Sequence, residues 1–90
     1  MKRINCNEAI QKFGTIPNAA RIEDQFPQYV KGWAFIYGDY GAVGFSETEE
    51  SATEACTMIN KMFGIKTFFL FSTFGHHKAD WTFCGALIAE

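Results

Sequence analysis

The chain lacks a basic stripe, a long apolar run, paired cysteines and any low-complexity segment, and each absence removes a class of function. Lysine and arginine number 8 against 10 aspartates and glutamates, giving a net charge of −2 and a pI near 5.6. Attachment to a phosphate backbone normally needs clustered cations, so direct binding of nucleic acid is not expected. No apolar run approaches the ~20 residues that span a bilayer, and the first segment, "MKRINCNEAI", has no signal-peptide core. The expectation is a cytoplasmic protein with no membrane partner. Cys6, Cys56 and Cys84 are odd in number and widely spaced, which argues against a disulfide framework and for reduced thiols. The chain shows no Walker loop, dinucleotide fingerprint, zinc-protease helix or nucleophile elbow. No cofactor and no resident metal are therefore expected, and an enzymatic role has no motif behind it.

What is present is a dense apolar and aromatic composition. Of 90 residues, 48% are hydrophobic and 17% aromatic, with ten phenylalanines. That places the chain well outside the disordered class and gives one domain, residues 1–90, enough apolar material for a single core. A domain this small leaves roughly a third of its unfolded-chain surface exposed, so some of the rings are expected to meet a partner.

The pattern along the chain predicts an α+β fold. Asn5, followed three residues later by Glu8, caps a short helix that carries Cys6, Ala9, Ile10 and Phe13 on one face and stops at Gly14. A second short helix is predicted from Asn18 to about Gln25, ended by Pro27. From Tyr29 the chain becomes β-rich, with Tyr29, Trp33, Phe35 and Tyr37 on one side and Val30, Ala34 and Ile36 on the other; "GDYG" supplies a turn. "SETEESATEACTMINKMFG" reads as an amphipathic helix capped by Ser46 and Glu49 and ended by Gly64. Its apolar stripe is Ala52, Ala55, Cys56, Ile59, Met62 and Phe63. A second hairpin follows, "IKTFFLFSTF" and "DWTFCGALIA" around "GHHKA". The predicted architecture is one antiparallel four-stranded sheet of two hairpins, covered by the amphipathic helix, with one or two short N-terminal helices. Because Phe69 and Phe71 face one way and Phe68, Leu70 and Phe74 the other, both sheet faces should be covered, by the helices on one side and by a second subunit or partner on the other.

The sharpest chemical candidates are His76 and His77. Adjacent residues on an extended strand point to opposite faces, so two neighbouring histidines make a poor pair of ligands for one metal. An enzyme or metal-dependent module built on His76, His77, Asp80 and Cys84 is the alternative reading. Cys56, within the helix stripe, reads as a small core hydrophobe, and Cys84 has no helix N-terminus or glycine-rich oxyanion turn to activate it. The bland reading of "GHHKA" is an exposed hairpin tip whose histidines touch a partner.

The candidate partner-binding residues are Trp33, Tyr37, Tyr40 and Trp81, which combine large area with a polar handle, together with His76 and His77 and the acidic cluster Glu47, Glu49, Glu50 and Glu54. Helix-dipole compensation explains the first three glutamates, but Glu50 and Glu54 are like charges one turn apart, a cost of a few tenths of a kcal/mol, roughly, on an exposed helix. These residues suit a small non-enzymatic module that binds a larger protein with a basic or apolar surface, in form an inhibitor or modulator of a nucleic-acid-handling machine of the phage counter-defence (anti-CRISPR) kind. A homodimer is a further expectation. Weak binding of single-stranded nucleic acid on the aromatic strands is the third reading, set back by the presence of only Lys31 and Lys66 beside them.

Overall fold

A four-residue strand opens the chain where only a helix cap was expected. The computed structural model describes residues 1–16, 31–37, 42–75 and 80–90. Strand β1 (Lys2–Asn5) pairs antiparallel with the last strand, Arg3 opposite Leu87 and Ile4 opposite Ala86. Only Ile4 is buried there; the polar residues around it keep an edge strand in water and discourage further pairing. Asn5 then caps α1 (Cys6–Phe13) as predicted, its side chain accepting from the Glu8 backbone N–H at 2.9 Å. Gly14 closes the helix by donating to the Ile10 carbonyl at 2.8 Å.

The rest of the sheet follows the two-hairpin plan. Strands β2 (Trp33–Tyr37) and β3 (Ala42–Ser46) pair antiparallel, as do β4 (Thr67–Ser72) and β5 (Thr82–Ile88). The hairpins join through β2 and β4, with Ala34 opposite Phe71 and Ile36 opposite Phe69. The order across the five-stranded antiparallel sheet is β1-β5-β4-β2-β3. The N-terminal strand thus adds a fifth member to the four expected. The second predicted helix (Asn18–Gln25), Tyr29, Val30 and the "GDYG" turn lie outside the described residues.

Helix α2 (Glu49–Phe63) links the hairpins, and its cap differs from the expected one. Ser46 is spent as the last residue of β3, paired with Trp33. The chain therefore turns through Glu47, and Thr48 becomes the N-cap, its hydroxyl accepting from the Ser51 N–H at 3.1 Å. The shift leaves Glu49 and Glu50 in the first turn, where the helix dipole favours them. At the other end Gly64 is left-handed, as predicted for the stop, and Asn60 donates from its side chain to the Ile65 carbonyl at 3.0 Å.

Strand alternation sorts the core into two clusters, one on each sheet face. Ile4, Ala34, Ile36, Phe69, Phe71 and Ala86 lie on one face and take Ala9 and Phe13 of α1. Phe35, Phe68, Leu70 and Leu87 lie on the other and take Ala52 and Cys56 of α2. The two helices therefore cover opposite faces, rather than sharing one and leaving the other to a partner. The cause is the early strand: β1 enters beside β5 and delivers α1 to the Phe69 side, where Phe13 meets the Phe69 ring edge-on at 5.4 Å. No helix among the described residues is long and apolar enough to cross a membrane.

Candidate partner-binding surface

Trp33 and Tyr37 are four residues apart on β2 and so share the α2 face. Both are half-buried. Tyr37 packs edge-on against Phe68 at 5.5 Å, whereas Trp33, at the opposite end of the strand, meets Phe74 edge-on at 6.5 Å. Phe74 is 50% exposed. The Lys31 ammonium sits over the Phe74 ring at 5.6 Å from its centre, an arrangement worth about 0.5–1 kcal/mol at an exposed site. Gly32 follows Lys31 and approaches the backbone of Ser46 and Glu47 so closely that a side chain there would strike it. One end of the sheet therefore gathers Lys31, Trp33, Phe74 and Glu47 into an aromatic patch flanked by a cation and an anion.

Other sequence-level candidates do not converge on that end. Trp81 packs edge-on against Phe45 at 5.5 Å and belongs to the α1 face. Glu49 is taken by Arg3, whose Nε donates to it at 2.6 Å while Nη2 donates to the Cys84 carbonyl, also at 2.6 Å. With both partners more than a third exposed, the pair contributes little by itself, about 0–1 kcal/mol. It does remove Glu49 from the acidic surface, which leaves exposed Glu47, Glu50 and Glu54. Tyr40, His76 and His77 lie outside the described residues.

Of the alternative chemical set, Asp80 is exposed and Cys84 half-buried, with the Cys84 thiol 3.3 Å from the Thr82 carbonyl. Among the described residues no three histidine, cysteine or acidic side chains gather to hold a metal. Thr73 is fully buried, its backbone N–H donating to the Gly32 carbonyl at 2.9 Å, and its hydroxyl finds no partner among the described residues. A shallow groove along β1 and α1 is lined by Lys2, Ile4, Glu8, Gln11, Lys12 and Ile88.

Cys56 is fully buried beneath α2, and that burial pushes its thiol up from 9.0 to about 12, against a smaller opposing pull from the N-terminal ammonium. It stays protonated at neutral pH, so it is not a nucleophile there. Folded protein at pH 8 is expected to release at most two thiols, Cys6 and Cys84, to a chromogenic disulfide reagent, and a third only in denaturant. A third thiol reacting at the rate of the others would contradict the packing. Because the unfolded chain ionises this thiol near 9.0 and the folded chain near 12, the unfolded state holds fewer protons between those values. Stability should therefore fall as pH rises from about 9 toward 12, and Cys56→Ala should flatten that slope.

The exposed apolar residues include ones that sequence reasoning misplaced. Met62 and Phe63, assigned to the buried stripe, are 68% and 69% exposed, and Met58, not singled out at all, is 62% exposed. The missed signal was that the apolar arc of α2 is wider than one sheet face can cover. No protein-family model, curated protein or solved structure matches this chain.

Proposed function

We propose that this protein is a non-enzymatic binding module that docks on a larger protein through the Trp33–Phe74 end of its sheet. The observation that carries the reading is the exposed Phe74 ring, set edge-on against half-buried Trp33 and capped by Lys31. A rigid aromatic pair ringed by charge resembles the centre of a protein interface, where a few large anchors dominate affinity. Glu47, Glu50 and Glu54 add an exposed acidic surface on the α2 start, suited to steering a basic partner. A basic channel on a nucleic-acid-handling protein is such a surface, so inhibition of that machinery, of the phage counter-defence kind, is the biological form this reading favours.

The test is retention of a stoichiometric partner from host extract by immobilised protein, identified by mass spectrometry and compared across variants. Phe74→Ser is expected to weaken binding at least ~10-fold, the scale of one interface anchor, with an unchanged circular dichroism spectrum. Glu50→Lys with Glu54→Lys should slow association and weaken its salt dependence. Stoichiometric metal in the purified protein, or a catalytic activity lost in His77→Ala without unfolding, would replace this reading with the enzyme alternative on His76, His77, Asp80 and Cys84. A salt-dependent shift with single-stranded oligonucleotides alone would favour the third.

A further inference from the structure

Helix α2 carries two apolar stripes, of which the sheet uses one. Ala52, Cys56 and Ile59 pack toward Phe35, Phe68 and Leu70, and Ala55 reaches the margin of the same cluster. Roughly 100° around the axis, at 100° per residue, lie Ser51, Ala55, Met58 and Met62. Their spacing of four, three and four residues is the seam of a helix that packs along another helix. Ser51 is exposed and Ala55 half-buried, while Met58 and Met62 expose 62% and 68%. On the side of this seam away from the sheet stand two exposed charges seven residues apart, Glu54 and Lys61.

We infer that this stripe pairs antiparallel with the α2 of a second copy, about a two-fold axis passing between Ala55 and Met58. The two-fold places Met58 against the partner copy's small Ala55 position and Met62 against its Ser51 position, so a large side chain meets a small one in every layer. It also sets Glu54 beside the position of Lys61 in the second copy, and Lys61 beside Glu54, so two opposite-charge contacts flank the seam. A parallel pair would stack methionine on methionine and place the Glu54 and Lys61 flank of one copy across the seam from that of the other, so that neither charge would find its opposite. The charge and size patterns are thus their own complement under one rotation, as a closed isologous dimer requires. An unrelated partner would have no need of this internal symmetry. Glu54 belongs also to the acidic surface of the partner-binding reading, but Met58, Lys61 and Met62 do not, so Met58→Lys tests this dimer separately from docking at Phe74.

The test is sedimentation velocity on the full chain over about 1–500 µM, in low salt. The wild type is expected to move from monomer to dimer across that range. Met58→Lys should shift the midpoint at least ~10-fold higher without altering the melting curve, because Met58 is already mostly in water. Glu54→Lys alone and Lys61→Glu alone should each weaken the dimer, and the double exchange Glu54→Lys with Lys61→Glu should restore it. Wild-type protein that stays monomeric throughout, a dimer indifferent to Met58→Lys, or a double exchange that fails to recover association would each overturn the proposal.

Discussion

Phe68→Ala is expected to cost about 3–5 kcal/mol, a large share of the domain's stability. Phe68 has no exposed surface. Its ring is met edge-on by Phe35 at 6.2 Å and by Tyr37 at 5.5 Å, and the same cluster holds Leu70, Leu87, Ala52 and Cys56. Truncation would remove the ring that α2, β2 and β4 share, and paired strands on either side cannot close around the space. A chain of 90 residues has a total stability of about 5–13 kcal/mol at the usual range per residue, so at least about a quarter would be lost. Phe63→Ala is the control: the same chemical change at a ring 69% exposed should stay within about 0.5 kcal/mol. Urea denaturation followed by circular dichroism separates the two, and similar midpoints would mean that the Phe68 side of the sheet is not the core described above.

Gly85→Ala is the second large effect, and it acts on the backbone. Gly85 lies in β5 between Asn5 of β1 and Leu70 of β4, beside the register shift at Leu70 and Phe71. Its φ is +136°, and an added Cβ would run into the Ile4 carbonyl and the Arg3 guanidinium. The arginine can swing away, but the carbonyl belongs to the paired strand and can only move with it. Strain at such a φ costs about 1–3 kcal/mol, and overpacking adds about 1–3 kcal/mol. The loss should be local first: β1 parts from β5, Asn5 loses its place as the cap of α1, and both elements exchange their amides early while β2 and β4 remain protected. Hydrogen exchange read residue by residue is the measurement. Undiminished protection at Ile4 together with an unchanged melting temperature would sink the prediction.

Those two residues differ in how far the sequence exposes their roles. Phe68 sits in "TFFLF", and alternation alone assigns it to a face with Leu70 and away from Phe69 and Phe71. Local alternation survives folding because successive strand side chains must point to opposite faces. Gly85 looks like any glycine in a strand-like run, since the contact that makes it necessary comes from Arg3 and Ile4 at the far end of the chain. The caps divide similarly. Asn5 and Gly64 act as read, their partners lying within four residues. Ser46 does not, because cross-strand pairing with Trp33 takes it into β3.

The candidate site was legible as residue types and illegible as a surface. Trp33 and Glu47 do reach one end of the sheet, but the ring that completes the patch, Phe74, looks from the sequence like any strand residue, and Lys31 like an isolated cation. Trp81 went to the opposite face, and Glu49 was absorbed by Arg3, 46 residues away in sequence. Neither event leaves a local trace.

By itself the sequence determined the α+β class, the two hairpins, the faces of β2 and β4 and the C-terminal end of α2, all of which rest on period, caps and turns within a few residues. Only the tertiary structure decided that β1 joins the sheet, that α1 and α2 lie on opposite faces, and that Met58 and Met62 remain outside. The reason is area and order of assembly. An amphipathic pattern states how much apolar surface a helix carries, whereas the width of the sheet and the strand that delivers each helix decide how much of it is covered.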